Sequence, residues 1–422
     1  MKITVLGLWH LGSVTAACLA RHHRVTGLDF DEAVLTNLRA GRAPLHEPGL
    51  DALLAAGLAS GQLDFSSESS VAAQAEVLWV CYDTPVDDED HSEVDWVLSR
   101  LGRVLPVLRP GTVVLVSSQL PVGTCARLAR EHPTLHFACS PENLRLGRAI
   151  ETFEKPARIV VGTTSPDAQT CLDRMLAPLG APRLWMRTES AEMTKHAINA
   201  FLAASITFMN EIACLCEDTG ADAKEVERGL KSESRIGPQA YLSPGGAFAG
   251  GTLARDVVTL SQLGQKFGET LDVLPAIKRS NDRHRQWVGR KLQQIFANET
   301  GRCVALLGLT YKPGTDTLRR SSAVELAQAL AAAGFAVRAC DPSQPVLPAE
   351  LGFIQFKASA AEAIAGADAV VVCTEWPEFR TLDWPALLPL LRRPLVIDAA
   401  GFLKSSMAGQ PSLQYVTVGS PA

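Results

Sequence analysis

The feature of this 422-residue chain that most constrains its fold is an apolar strand that runs directly into a glycine turn. Residues 3–6 form the predicted strand, Gly7-Leu8-Trp9-His10-Leu11-Gly12 form the turn, and a helical pattern covers residues 12–21. A second predicted strand, Arg24–Leu28, is followed by Asp29. This order is typical of dinucleotide-binding units, in which the pyrophosphate lies at the helix N-terminus and a carboxylate holds the ribose. We therefore predict a Rossmann-like domain that prefers NAD to NADP, because Asp29 disfavours a 2′-phosphate.

The turn departs from the usual G-x-G-x-x-G pattern at one position. Gly7, His10, Leu11 and Gly12 are candidate cofactor contacts, but Trp9 stands where the pattern has its middle glycine. That glycine lets the backbone approach the pyrophosphate closely. We therefore expect Trp9 to crowd the phosphates or shift the cofactor, and to make NAD binding weaker than is usual for such turns.

The alternation of strand and helix continues to about residue 180, is lost between about 189 and 296, and then returns. Besides the segments above, a helix is predicted at residues 31–39, and strands at residues 77–81, 113–117, 136–138, 158–161, 303–307, 337–340, 369–373 and 395–398. The predicted fold class is α/β, with two Rossmann-like doubly wound parallel-sheet domains, 1–185 and 298–422. A central helical segment, 186–297, joins them and is expected to form a homodimer; a helical subdomain without an oligomeric role is the alternative.

Composition excludes several classes of function. The net charge is −5, and no dense basic run occurs, so nucleic acid is not expected as a partner. No uninterrupted apolar run approaches the roughly 18–20 residues of a membrane span, and the apolar N-terminus is interpreted as a buried first strand. The ten cysteines show no CxxC pair and no Cys/His ligand spacing. We therefore expect no metal site and a cytoplasmic protein with reduced thiols.

Several longer motifs resemble one enzyme family over nearly the whole chain. They are Pro44-Leu45-His46-Glu47-Pro48-Gly49-Leu50, Leu120-Pro121-Val122-Gly123-Thr124, Ser140-Pro141-Glu142-Asn143-Leu144-Arg145, Ala191–Ala200, residues 241–256 and Gly308-Leu309-Thr310-Tyr311-Lys312-Pro313. All are similar to segments of the UDP-glucose/GDP-mannose dehydrogenase family. The resemblance implies an NAD-dependent oxidoreductase that converts the C6 alcohol of a nucleotide sugar, most often a UDP-sugar, to a carboxylate in two hydride transfers. It also implies a homodimer and a role in polysaccharide biosynthesis.

The resemblance assigns roles to individual residues. Lys195 and Asn199 would hold the oxyanion, Asp256 would orient water, and Glu142 would line the sugar pocket, while Thr252 occupies the position of the family's cysteine nucleophile. Further cofactor contacts are expected from Thr84, Pro85, Gln119, Arg255 and Arg319. Further substrate contacts are expected from Arg145, Leu146, Arg235, Tyr241, Leu242, Gly245, Ala249 and Lys312.

Five positions depart from the family pattern, and they concentrate on the chemistry. Thr252 replaces the cysteine, Gln119 a water-holding threonine, Leu146 a glutamate, Ala400 an arginine, and Trp9 the turn glycine. A threonine hydroxyl is a poor trap for an aldehyde, because it lacks the low pKa of a thiol. The departures favour an altered chemistry, either one two-electron oxidation or another substrate.

Two other functions stay open at this point. One is a full four-electron oxidation in which the aldehyde hydrate reacts directly, and the other is a catalytically silent homologue that binds nucleotide or a partner protein. Cys125 and Cys139 are candidates for a relocated nucleophile, although buried structural cysteines are the favoured interpretation.

Overall fold

The computed structural model of the protein describes residues 1–85, 92–141, 144–248, 251–297, 299, 301–410 and 412–421. The chain divides into two compact units, Met1–Ile198 and Asn199–Ala422. The central helices after Ile198 belong to the second of these units.

The first unit is built on an eight-stranded sheet with the order β3-β2-β1-β4-β5-β6-β7-β8. Its strands are β1 (Lys2–Leu6), β2 (Arg24–Leu28), β3 (Leu63–Ser66), β4 (Val77–Val80), β5 (Val113–Val116), β6 (His136–Cys139), β7 (Ile159–Gly162) and β8 (Arg183–Met186). Its helices are α1 (His10–Leu19), α2 (Glu32–Arg39), α3 (Leu50–Ala59), α4 (Val94–Gly102), α5 (Thr124–Glu131), α6 (Ala149–Glu154) and α7 (Pro166–Leu176). Neighbouring strands are parallel except at β6 and β7, which pair antiparallel, so the predicted parallel sheet is mixed at this one point.

Helices cover both faces of this sheet, as a doubly wound fold requires. Alternate residues of one strand face opposite sides: Val77 and Trp79 of β4 contribute to one hydrophobic core, and Leu78 and Val80 to the other. Every residue of β4 and β5 is buried. This explains why the central strands read as unbroken apolar runs in the sequence.

Helix α8 (Thr188–Thr219) is 32 residues long and crosses the boundary between the two units. In the part of the chain that the structure describes, it is the one helix long and apolar enough to span a membrane. Core helices of globular proteins pass the same test, so this is weak evidence for a span. Asn199 and Asn210 of α8 are buried and hydrogen-bonded to neighbouring segments, as expected of a core helix.

The second unit combines the remaining helices with a six-stranded parallel sheet of order β11-β10-β9-β12-β13-β14. Its strands are β9 (Cys303–Leu307), β10 (Ala336–Cys340), β11 (Gln355–Phe356), β12 (Ala369–Val372), β13 (Leu395–Ile397) and β14 (Gln414–Val416). Its other helices are α9 (Ala223–Ser232), α10 (Gly251–Phe267), α11 (Val273–Arg285), α12 (Trp287–Phe296), α13 (Ser322–Ala332), α14 (Ala360–Ile364), α15 (Pro377–Arg380) and α16 (Trp384–Leu387). No strand occurs between α8 and β9 among the described residues, as the sequence predicts.

The two sheets repeat one local device at the end of their first strand. Gly7 after β1 has φ = 92° and Gly308 after β9 has φ = 89°, a conformation that favours glycine. Asp29, which follows β2, accepts a hydrogen bond from the backbone N–H of Leu8 at 2.7 Å. Asp341, which follows β10, accepts from Leu309 N–H at 2.6 Å in the same way. Each carboxylate therefore holds a tight turn at the carboxyl edge of its sheet, where such folds bind nucleotides.

Candidate functional site

The dinucleotide turn of the first unit has the close backbone contacts that its glycines require. A Cβ atom on Gly12 would lie 1.6 Å from the carbonyl oxygen of Gly7, and one on Gly7 would lie 2.6 Å from the Tyr82 ring. Helix α1 begins at His10, immediately after the turn, so its N-terminal N–H groups point toward the turn. Leu11 is buried in the core beneath it. The turn therefore has the form of a pyrophosphate cradle.

Trp9 occupies the N-cap position of α1 with φ = −72°. That angle lies outside the left-handed region, so a side chain is accommodated here without backbone strain. The indole is 47% exposed. An exposed ring at the mouth of the cradle fits the expectation that Trp9 acts on the cofactor rather than on the fold.

Asp29 is buried, and one of its carboxylate oxygens is bonded to the turn while the other is bonded to the residues that follow it. One oxygen accepts from Leu8 N–H, and the other accepts from Phe30 N–H at 2.7 Å and Asp31 N–H at 3.2 Å. Each carboxylate oxygen has two acceptor sites, so capacity remains for ribose hydroxyls. These residues fit NAD.

Glu47, a buried carboxylate that we did not predict as a site residue, supports the dinucleotide turn. Glu47 accepts from the ring Nε2 of His10 at 3.0 Å, and also from the backbone N–H groups of Gly147 and Ala149, both at 2.8 Å. Burial alone would raise the pKa of Glu47, but these hydrogen bonds outweigh it and hold that pKa below its usual range. One carboxylate thus links the cofactor turn to the segment that contains Arg145 and Leu146, both of which are exposed.

The carboxyl ends of β4 and β5 place further predicted residues side by side. The hydroxyl of Thr84 donates to the backbone carbonyl of Gln119 at 2.8 Å, and Pro85 is half-buried next to it. A small cavity of about 20 Å³ opens beside Gln119, and Lys195 of α8 lines it as well. The structure therefore brings Lys195 and Gln119, predicted for different tasks, to one cavity.

In the second unit, Asn199 of α8 and Asp256 of α10 are joined by a direct side-chain hydrogen bond, with the amide donating. Asp256 is completely buried and Asn199 nearly so. Thr252 lies one turn before Asp256 on α10, which places the two residues on the same helical face, and it is exposed. The Arg255 Nε atom lies 3.8 Å from the Asp256 carboxylate.

The loop that leads to Thr252 is held by three buried polar side chains that sequence reasoning missed. Asn210 accepts from Gly245 N–H at 3.0 Å, Asn281 accepts from Phe248 N–H at 2.9 Å, and His284 Nε2 bonds the Gly245 carbonyl at 2.8 Å. Burial lowers the pKa of His284, which favours its neutral form. Their positions in helical stretches gave no signal, because the contacts span 33 to 39 residues of sequence.

The remaining predicted residues of the second unit differ in exposure. Tyr241, Arg235 and Arg319 are exposed, Lys312 is half-buried, and Leu242 is buried in the core of the unit. Arg235 pairs with Glu233 at 3.0 Å. Glu142 and Ala249 lie outside the described residues, so their roles stay predictions.

All ten cysteines are free thiols, and two of them illustrate why a buried thiol is not activated. The hydrogen bond with Cys139, together with burial, raises the pKa of the Cys125 thiol well above its usual value. Burial also raises the pKa of Cys373 to about 12. These thiols stay protonated at neutral pH and are poor nucleophiles.

Comparison with known proteins settles the ancestry of this site. The NAD-binding domain of the UDP-glucose/GDP-mannose dehydrogenase family matches residues 1–179, its central domain matches residues 189–283, and its UDP-binding domain matches residues 305–405. The chain belongs to this family. The resemblance predicted from the motifs is confirmed, and so are the α/β fold and NAD as the cofactor.

Individual members of the family match this chain from end to end. The UDP-glucose 6-dehydrogenase of Rhizobium meliloti is 34% identical over 100% of both chains, and the UDP-glucose 6-dehydrogenase YwqF of Bacillus subtilis is 32% identical over 100% of this chain and 98% of its own. The structure of a UDP-glucose dehydrogenase from Pyrobaculum islandicum superposes with a TM-score of 0.87 at 29% identity, covering 99% of this chain and 98% of that one.

Proposed function

We propose that the protein is an NAD-dependent oxidoreductase of UDP-sugars that removes a hydride from the C6 alcohol without covalent capture of the product. The observation that carries this proposal is the exposed Thr252 hydroxyl at the start of α10, one turn before the buried Asp256. NAD supplies hydride acceptance. Side chains of this protein would carry out the other parts of the reaction.

The first oxidation needs groups that this family member retains. Lys195 carries a positive charge that would stabilise negative charge on the sugar oxygen as its proton leaves. Asn199 is held in one orientation by its hydrogen bond to Asp256, so its amide is positioned before substrate arrives. In the second unit, Arg235 and Lys312 supply the cationic groups that a diphosphate requires.

The second oxidation lacks its usual nucleophile. A threonine hydroxyl stays protonated and needs an adjacent base to attack an aldehyde, and a thiohemiacetal requires a thiol. We therefore expect the fast oxidation to stop at the aldehyde level. Cys125 does not substitute, because it is 1% exposed and protonated.

We further propose that the protein acts as a homodimer in the cytoplasm, in the synthesis of a polysaccharide precursor. Phe201, Phe208 and Leu215 of α8 are 72%, 51% and 59% exposed and recur every seventh residue. That spacing places them on one face of the helix, and an apolar face of this kind is expected to be covered by a second copy. Ten free cysteines favour a reducing compartment.

The test is to incubate the purified protein with UDP-glucose and NAD and to measure NADH together with the sugar products by mass spectrometry. A fast phase with one NADH per sugar and an aldehyde-level product supports the proposal. Two NADH per sugar at the usual enzymatic rates of about 1–10³ per second would contradict it. Saturable UDP-glucose binding with no NADH would instead support the silent homologue.

A further inference from the structure

We propose that Ser118 holds a water molecule beside Lys195, and that this water hydrates the aldehyde so that a slower, non-covalent second oxidation can follow. This inference rests on the proposed function, because it needs the aldehyde that the first oxidation leaves. It assigns the missing nucleophile to a built water site rather than to a side chain.

The first observation is an unsatisfied hydroxyl. Ser118 follows β5 and is 6% exposed, and its Oγ is buried without a hydrogen-bond partner among the described residues. Buried polar atoms are almost always hydrogen-bonded to protein or to ordered water. The neighbouring Ser117 shows the ordinary situation, because its Oγ accepts from the Trp79 indole at 2.8 Å and donates to a backbone carbonyl. The described residues therefore provide no hydrogen-bond partner for the Ser118 hydroxyl, and an ordered water is the expected partner.

The second observation is the size and lining of the space next to it. Ser118 lines the cavity of about 20 Å³ together with Gln119, Glu192, Lys195 and other residues. A cavity of about 10–15 Å³ suffices for one water, which needs two to four polar partners. The lining supplies a hydroxyl, a carboxylate and an ammonium group. The space is thus suited to one water and too small for a sugar.

The third observation is a carboxylate that can accept the proton of this water. Glu192 is 5% exposed, and it accepts from the backbone N–H groups of Gly123 at 2.6 Å and Cys125 at 2.9 Å. These bonds fix its position, and each oxygen keeps an acceptor site. Burial raises the pKa of Glu192 above its usual value, despite the lowering effect of those N–H groups. A carboxylate with a raised pKa is a better base near neutral pH.

In the proposed step the aldehyde is first hydrated, and the hydrate is then oxidised. The water oxygen bonds to the aldehyde carbon, its proton passes to Glu192, and the carbonyl oxygen takes a proton from the Lys195 ammonium. The resulting hydrate carries one hydrogen and two hydroxyls on carbon. After a second NAD has replaced the NADH of the first oxidation, the hydrate loses a hydride to this NAD and a hydroxyl proton to the Lys195 amine, which leaves a carboxylic acid, while Glu192 releases its proton to solvent.

The experiment compares Ser118→Ala with the wild-type protein and with Thr15→Val. Thr15 is a matched control, because its Oγ1 is also buried without a hydrogen-bond partner among the described residues but does not line the cavity. Aldehyde is trapped as an oxime, and the ratio of oxime to acid is measured by mass spectrometry. We expect Ser118→Ala to raise that ratio by about 10²-fold, with kcat and KM of the first oxidation near wild-type values, and Thr15→Val to leave it unchanged.

A crystal structure of the wild-type protein supplies a readout that does not depend on activity. An ordered water within hydrogen-bond distance of Ser118 Oγ supports the inference, and a dry cavity overturns it. An unchanged product ratio in Ser118→Ala overturns it as well, and so does a covalent sugar adduct on Cys139, which lines the same cavity. If the wild-type protein forms no NADH from UDP-glucose, the proposed function fails and the hydration step fails with it, even where the crystal shows the water.

Discussion

The carboxylate of Asp256 accepts a hydrogen bond from the amide of Asn199, and both groups are buried within the second unit. Asn199 lies on α8 and Asp256 on α10, so the bond ties two helices together as well as fixing two predicted catalytic groups. Removing Asp256 takes away the acceptor of the buried Asn199 amide, and a buried donor left unsatisfied costs about 1–3 kcal/mol.

We expect Asp256→Ala to lower the free energy of unfolding by that amount, and Asn199→Ala to lower it less, because Asp256 keeps its ion pair with Arg255. A double-mutant cycle in urea should show a coupling of about 0.5–3 kcal/mol. Thr259→Ala, on the half-buried part of α10, is the control and should show no coupling to Asn199→Ala. Strict additivity of the Asn199 and Asp256 variants would contradict the bond.

Thr252→Cys tests whether altered chemistry follows from one residue. We expect the variant to form little more acid than the wild-type protein, because the resemblance predicts that Gln119 and Leu146 also replace water-positioning groups. Thr252→Ser is the control for a small change at this exposed position. Mass spectrometry of the products measures how much acid each variant forms. Full restoration of acid formation in Thr252→Cys would show that residue 252 alone accounts for the proposed altered chemistry.

Trp9→Gly should strengthen NAD binding, because it removes a bulky ring from the mouth of the pyrophosphate cradle. Isothermal titration calorimetry measures the change, with Trp185→Phe as the control, since Trp185 lies on the edge strand β8, away from the turn. Weaker binding by Trp9→Gly would show that the indole stacks on the cofactor instead.

Asp29→Ala should weaken NAD binding by about tenfold or more, since it removes the acceptor for ribose hydroxyls and leaves the Leu8 N–H without its partner. The same titration with NADP measures the preference. The wild-type protein should bind NAD more tightly than NADP, and the reverse order would reject the role given to Asp29.

Glu47 gives a dependence of stability on pH with a definite sign. Its pKa is lower in the folded protein than in the unfolded chain, so its stabilising contribution is fully present above the ordinary pKa of about 4.3 and is lost as the pH falls through the folded value. Urea unfolding of Glu47→Gln should therefore show a large deficit at neutral pH that shrinks in acid. Glu131→Gln, which removes an exposed pair with Arg127, should show almost none at either pH.

The proposed homodimer makes a testable prediction about the exposed face of α8. Phe208→Glu should give a monomer in analytical ultracentrifugation, because a charge would have to be buried at the centre of the proposed dimer contact. Val346→Glu, at a position 71% exposed elsewhere in the second unit, should not change the mass. A wild-type monomer at all concentrations would contradict the dimer.

The central strands could be predicted from the sequence because their physical signal is local. The predicted strand at residues 113–117 corresponds to β5, whose four residues are all buried. A strand that is buried on both faces has an unbroken apolar run in its sequence. Strands β3 and β8 were not predicted. They lie at the two edges of their sheet; the alternation of β3 covers only four residues, and β8 has no buried residue, so neither is easily separated from a loop.

The polar supports of the site could not be predicted, because their partners are distant in sequence. Glu47 meets backbone N–H groups 100 and 102 residues away, and Glu192 meets donors 67 and 69 residues away. Motif reasoning identified Glu47 only as part of a family segment. Nothing in the local pattern distinguishes a carboxylate that caps a distant turn from one that faces solvent.

The repeated turn at Gly7 and Gly308 implies that the two nucleotide-binding edges respond differently to salt. Helix α1 begins at His10, directly after its turn, so a pyrophosphate there meets fixed backbone dipoles. Helix α13 begins only at Ser322, and the intervening segment carries the predicted substrate contact Lys312. Mobile cations at a surface are screened by electrolyte more strongly than backbone N–H groups held in a turn. Binding of the nucleotide sugar should therefore weaken at a lower salt concentration than binding of the dinucleotide.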